Sequence, residues 1–248
     1  MTSREATGLL PRNMLEEANP IPRAVTDWLH VLAFGAIGWP WLLRSLSGGR
    51  RKDKLALLDR LGLPHDALPN LGSWKADTAL LSHIVDSVEA IQPQHVVELG
   101  SGASSLVTAR ALHLFGGGML HSYDQHGDFV GATMDWLGEH GLNAQMHHAP
   151  LVPAPAGWPG YWYQLTAVPD SIDMLIIDGP PWSVHPYVRG AAEILFDRIA
   201  IGGLILLDDA ARPGERVVAR RWRRNWPNFR FDLMRSGTKG TLVGRRIF

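Results

Sequence analysis

The chain has 248 residues, 46% of them hydrophobic and 19% charged, the composition of a globular protein with room for one α/β domain and an extension. Lys plus Arg and Asp plus Glu balance at 24 each, so no global field points to nucleic acid or an acidic membrane as partner. With no cysteine, disulfides, thiolate zinc sites and a cysteine nucleophile are excluded.

The opening residues Met1-Thr-Ser-Arg-Glu-Ala6 are polar and do not read as a signal peptide, which makes a cytoplasmic location the expectation. Trp28 to Leu43 carries no Asp, Glu, Lys or Arg, and Arg44, Arg50, Arg51, Lys52 and Lys54 follow it. This stretch is shorter than the roughly 20 residues of a spanning helix, and Pro40 and two glycines interrupt it. A helix facing the domain or a second subunit is the simpler reading. Membrane association through residues 28–43 is the alternative. Leu55 to Leu61 reads as a short helix closed by Gly62 and Pro64. A stronger helix starts from Asp77 as N-cap, with Leu80, Leu81, Ile84, Val85, Val88 and Ile91 on one face until Pro93.

From there strands and helices alternate. Strands are expected at His95–Leu99, Met119–Tyr123, Leu142–His147, Ile172–Ile177 and Gly203–Leu207. Helices are expected at Ser104–Phe115, Phe129–His140, Tyr187–Ile199 and Gly214–Trp226. Phe229–Met234 and Thr241–Arg245 flank Ser236-Gly-Thr-Lys-Gly240, which reads as a hairpin turn. The Pro-rich stretch containing Pro150, Pro153, Pro155 and Pro159 reads as a loop. Alternating strands and helices imply a parallel sheet with ligands beyond the carboxyl ends of its strands.

The residues at those ends are therefore the candidates. Glu98-Leu-Gly-Ser-Gly102 closes the first strand, and its glycines let the backbone approach a nucleotide-like ligand at a helix N-terminus. Ser105 stands where a dinucleotide fingerprint has its third glycine. Asp124 ends the second strand, where a carboxylate can accept both hydroxyls of a ribose. Asp178 ends the fourth, and Asp208 and Asp209 the fifth. Three carboxylates in one cleft would repel or take up protons unless a cation such as Mg²⁺ joins them, or unless one binds cofactor, one caps a helix and one is solvated.

These features resemble the class I S-adenosylmethionine-dependent methyltransferases over residues 73–248, with residues 1–72 as a helical N-terminal extension. The resemblance implies an α/β, Rossmann-like, mostly parallel seven-stranded sheet with an antiparallel C-terminal hairpin. It implies S-adenosylmethionine as cofactor, held by Trp74, Glu98, Gly100, Ser101, Gly102, Ser104, Ser105, Asp124, Ala149, Pro150 and Asp178. Ile177-Asp-Gly-Pro-Pro181 and Leu206-Leu-Asp-Asp-Ala210 are similar to a bacterial small-molecule subgroup. The acidic sites also resemble catechol-type and macrolide-sugar O-methyltransferases, which implies Mg²⁺ on Asp178, Asp208 and Asp209 and a small-molecule hydroxyl as acceptor. The lysine those enzymes carry three residues after the first acid is Pro181 here, leaving Asp178 and His185 as candidates for proton chemistry.

Other readings stay open at this point. Asp178-Gly-Pro-Pro-Trp182 is similar to the acid-Pro-Pro-aromatic motif of DNA amino-methyltransferases, but Gly179 replaces the residue that would bond the amine, and Arg220-Arg-Trp-Arg-Arg224 reads as a solvated face. An NAD(P)-dependent oxidoreductase is opposed by Ser105 and the closing hairpin. A noncatalytic cofactor-binding protein and a homo-oligomer are compatible with the pattern. The aromatic run Trp158–Tyr163 either walls an acceptor pocket or packs its own loop.

Overall fold

A computed structural model describes residues 25–68, 70–72 and 75–248. Trp74 and the opening residues read above lie outside the described residues. The elements in chain order are α1 (Val25–Ser45), α2 (Arg51–Leu61), α3 (Thr78–Ile91), β1 (His95–Leu99), α4 (Ala103–Ala111), β2 (Met119–Asp124), α5 (Gly127–Glu139), β3 (Gln145–His148), β4 (Leu151–Pro153), β5 (Tyr161–Tyr163), β6 (Ile172–Ile177), β7 (Ile199–Leu207), α6 (Pro213–Asn225), β8 (Phe229–Met234) and β9 (Thr241–Arg246).

Seven strands form one sheet in the order β3-β2-β1-β6-β7-β9-β8. The pairings from β3 through β7 are parallel, and β9 runs antiparallel to both β7 and β8. The strand order turns at β1, whose neighbours are β2 and β6, so the crevice beyond the carboxyl ends of β1 and β6 is the expected ligand position. The expected Rossmann-like fold with its closing hairpin is the one observed.

Central strands are apolar because both sheet faces are covered. Val96, Met174, Ile176, Leu204 and Leu206 join α3 and α4 on one face. Val97, Leu175, Ile177, Ile205 and Leu207 join Val188, Phe196 and Trp222 on the other. Leu57, Leu58 and Leu61 of α2 belong to the first of these cores. Asp77 caps α3 as its position implied: its Oδ1 accepts the Leu80 N–H at 2.9 Å.

Several boundaries differ for physical reasons. The helix expected over Ser104–Phe115 is α-helical only to Ala111, then widens into a π turn over Leu112–Gly116 before Gly117. The segment expected as a helix over Tyr187–Ile199 is a 3₁₀ helix, Val188–Arg198, in which the Trp158 ring occupies the space a Cβ of Gly190 would need. The fifth main strand begins at Ile199 rather than Gly203, because Ile199 pairs with Ile172 ahead of a register shift. The Pro-rich loop contains a small antiparallel pair, β4 with β5.

Pro40 and the glycines do not interrupt α1, which runs for 21 residues. One side meets the domain: Phe34 packs edge-on against Tyr187 at 5.1 Å, and a Cβ on Gly35 would lie 3.5 Å from the Trp182 ring. The opposite side exposes Trp28, Leu29, Leu32, Ile37, Trp39 and Leu43. No helix among the described residues is long and apolar enough to cross a membrane.

Candidate active site

The loop after β1 is built by its glycines and its acid together. Gly100 has φ 97° and Gly102 φ 144°, conformations that L side chains rarely adopt. A Cβ on Gly100 would lie 2.8 Å from the Gly179 nitrogen, so the β1 and β6 loops touch backbone to backbone. The Asp178 and Gly179 N–H groups both donate to the Leu99 carbonyl, at 2.8 and 2.7 Å.

Glu98 is fully buried and accepts hydrogen bonds from the Ser105 and Ser122 hydroxyls, each at 2.5 Å. Ser105 Oγ in turn accepts the Gly102 N–H at 2.9 Å. Burial pushes the Glu98 carboxyl up to about 7, with the Ser105, Ser122 and Ser104 hydroxyls opposing the rise. Glu98, Ser104 and Ser105 are thus the interior braces of the loop, while Gly100, Ser101 and Gly102 form its rim. Ser105 has a positive structural use in place of the missing glycine.

Asp124 accepts the Ser101 N–H at 3.1 Å on one oxygen and the His126 N–H at 2.9 Å on the other. Each oxygen keeps a further lone pair, the arrangement that two vicinal hydroxyls require. Burial raises this carboxyl, and the two backbone N–H groups oppose the rise. Ala149 N–H donates to the Asp124 carbonyl at 2.8 Å, and the Pro150 carbonyl accepts the Gln164 N–H at 2.9 Å, which fixes the β3–β4 link beside the same strand end. Buried polar atoms near this crevice without a hydrogen-bond partner include Glu98 Oε1, Ser101 Oγ, Gln125 Oε1 and the Tyr163 hydroxyl. A cradle with positive-φ glycines, a two-pronged acid and unpaired polar atoms fits a polar nucleoside-bearing cofactor.

Asp178, Asp208 and Asp209 come together as expected, with one oxygen of each within 4.8 Å of the others. Protein cations lie against this cluster. Lys239, in the turn between β8 and β9, is wholly buried and lies 3.2 Å from Asp208 and 3.5 Å from Asp209. Arg189, on the 3₁₀ helix, donates to Asp209 at 3.1 Å, to Asp178 at 3.3 Å and to the carbonyls of Asp178, Pro180 and Asp208. Arg212 meets Asp209 at 3.0 Å. Burial works against the charge of Lys239, but Asp208 and Asp209 outweigh it and hold the ammonium protonated. Asp209 is held below the usual carboxylate range: burial would raise it, but Lys239, Arg189 and Arg212 prevail. Lys239 and Arg189 donate to one oxygen each of Asp208, Asp209 and Asp178, while Asp208 Oδ1 is buried without a hydrogen-bond partner.

Asp178 is the one acid of the three that keeps appreciable exposure, 13% of its side chain. Burial first, and then the charge of Asp208, raise its carboxyl well above the ordinary range against the pull of Arg189 and Lys239. His185 is not part of this cluster's contacts. Its Nδ1 accepts the Tyr187 N–H at 3.1 Å, and Nε2 points toward Asp27 of α1 at 4.0 Å. Burial lowers its pKa to about 4. A neutral ring whose Nδ1 lone pair is engaged carries its proton on Nε2, so it has no free basic nitrogen. In this arrangement His185 faces α1.

Arg189, Arg212, Lys239 and the buried Glu215 escaped sequence reasoning. The usable signal for Arg189 was an arginine beside Gly190-Ala-Ala192 in an otherwise apolar stretch. Of the aromatic run, Trp158 stacks under Arg221 at 4.0 Å and packs its loop, while Tyr163 turns its hydroxyl to the Gly179 seam.

A family model described as a methyltransferase domain matches residues 97–210, from within β1 to just past the acidic pair. Solved structures share the fold. One is a methyltransferase from Podospora anserina bound to S-adenosylhomocysteine, with TM-score 0.54 and 12% identity over 93% of this chain and 99% of that one. Another is an O-methyltransferase from Bacillus cereus in complex with S-adenosylhomocysteine, with TM-score 0.52 and 12% identity over 87% and 99%. A third is an O-methyltransferase from Streptomyces achromogenes involved in tomaymycin synthesis, in complex with S-adenosylmethionine, with TM-score 0.51 and 14% identity over 80% and 89%. No curated protein sequence matches the chain.

Proposed function

We propose that this chain, a methyltransferase by the domain it carries and of class I by its fold, moves a methyl group from S-adenosylmethionine to a hydroxyl of a small-molecule acceptor. When bound, the cofactor supplies a methyl group already activated on a sulfonium, so the protein has to add alignment and a proton acceptor. The carrying observation is the Gly100–Gly102 loop with Asp124 at the turn in strand order. Gly100 and Gly102 would receive the amino-acid end against bare backbone, and Asp124 would accept the ribose hydroxyls. Asp178, partly exposed beside that loop, would take the acceptor's proton on a carboxylate whose basicity is raised by burial and by Asp208. No metal is needed in this scheme, since Arg189 and Lys239 already balance the acids.

The test is thermal unfolding with two ligands. S-adenosylhomocysteine raises Tm and NADH does not. Stabilisation by NADH alone would return the chain to the oxidoreductases, and stabilisation by neither would leave a fold without this cofactor.

A further inference from the structure

Among the described residues, the Tyr163 hydroxyl is a buried polar group beside the site that the scheme above does not use. Tyr163 ends the small β5 strand, is 3% exposed, and its oxygen has no hydrogen-bond partner in the protein. Buried tyrosine hydroxyls ordinarily find one. Its position is set by two glycines. A Cβ on Gly179 would fall 2.0 Å from this oxygen and 3.2 Å from the Gly100 Cα, so the hydroxyl sits in the seam between the β1 and β6 loops. Burial first, and then the charges of Asp124, Asp178 and Glu98, hold its proton on against the pull of Arg189. A phenol kept protonated in that seam is a hydrogen-bond donor waiting for an acceptor that the chain does not provide.

We propose that Tyr163 is a ligand-binding residue whose O–H donates to the carboxylate at the amino-acid end of the bound cofactor; this rests on the cofactor reading above. The other strand-end groups suit different parts of the molecule: Asp124 and Glu98 are acceptors, and the Arg189 guanidinium, whose charge also reaches this hydroxyl, offsets the acids around it. Tyr163 is the neutral donor beside the Gly100 backbone. It would be a positioning residue for the reaction, fixing the amino-acid end, and would not exchange protons with substrate.

Calorimetric titration of the full chain and of Tyr163→Phe with two probes tests this. The probes are S-adenosylhomocysteine and 5′-methylthioadenosine, which lacks the amino-acid end. The expected result is an S-adenosylhomocysteine Kd raised about tenfold in the variant, the order for a lost hydrogen bond to a charged group, with the methylthioadenosine Kd unchanged. The ligand-free variant should melt no lower than the parent, because the deleted hydroxyl bonds to nothing. An unchanged S-adenosylhomocysteine Kd overturns the assignment. So does an equal loss for both probes, or a lower Tm of the free variant, either of which makes the hydroxyl a structural brace. Failure of the parent chain to bind either probe overturns the cofactor reading itself, and this proposal with it.

Discussion

Replacing Lys239 by methionine tests whether the acidic cluster is balanced from within. The side chain is fully buried, with Nζ 3.2 Å from Asp208 and 3.5 Å from Asp209. Methionine nearly conserves length and volume, so the change removes a charge and leaves packing in place. Two carboxylates then face each other with only Arg189 and Arg212 to offset them. Breaking a buried ion pair by deleting one partner costs about 3–5 kcal/mol. For a chain of this size, each kcal/mol shifts Tm by roughly 2–4 °C, so a fall of about 10 °C is expected. Urea unfolding gives the free energy directly.

Two further arms fix the interpretation. The double variant Asp208→Asn with Lys239→Met removes both charges of the pair and should recover much of the loss. Millimolar Mg²⁺ should leave the parent chain's stability unchanged but raise that of Lys239→Met, where the vacated carboxylates can take an ion. The reasoning is refuted if the parent is itself stabilised by Mg²⁺, or if Lys239→Met loses less than about 1 kcal/mol, the range of an exposed pair.

Glu98 binds its proton more tightly in the folded chain, so its contribution is full below the unfolded value of 4.5 and is lost as pH rises through about 7. The cofactor-free Glu98→Gln variant should therefore gain on the parent by roughly 3 kcal/mol between pH 4.5 and 8, measured by denaturant unfolding; a constant difference would contradict the shift. Asp178→Asn should lower kcat by about a hundredfold or more with S-adenosylhomocysteine affinity retained, while His185→Gln leaves the pH dependence of kcat in place. A pH limb lost in His185→Gln would restore that histidine as the base. Gly179→Ala should cost about 1–3 kcal/mol by thermal unfolding, and adding Tyr163→Phe should recover part of it, because the nearest clash is with the tyrosine oxygen. Strict additivity of the two changes would mean that they do not meet.

What the sequence could reveal follows how far apart the interacting residues lie along it. Glu98-Leu-Gly-Ser-Gly102, the Asp77 cap and the β8–β9 hairpin are contiguous patterns with fixed offsets, and each formed as its residues imply. The ion cage has no such offset. Lys239 reaches Asp208 across 31 residues and Arg189 reaches Asp209 across 20, and a lysine in a Gly-flanked turn has the look of a solvated one. The β4–β5 pair was hidden because Pro153 and Pro159 mark a loop, although the aromatic run Tyr161–Tyr163 favours a strand. Pro40 misleads in the opposite direction. On an exposed position of α1, the carbonyl it leaves unbonded can be solvated, so the helix continues through it.

The protein cations beside the three acids bear on what the strand ends can contribute to catalysis. A bound divalent ion would lower the acceptor hydroxyl's pKa and fix it in place. Lys239 cannot do this, since it is wholly enclosed and its ammonium is spent on Asp208 and Asp209. Arg189 is likewise directed inward, at Asp178, Asp209 and three carbonyls. Their effect is to let three acids stand together without a hydrated ion between them, and to leave Asp178 alone partly open. Asp208 then acts on Asp178 through space, raising its basicity, while Arg189 holds one of its oxygens. In the proposed scheme the base is made by neighbours that do not touch the reaction, so changes at Asp208 should move the pH profile of turnover more than they move cofactor affinity.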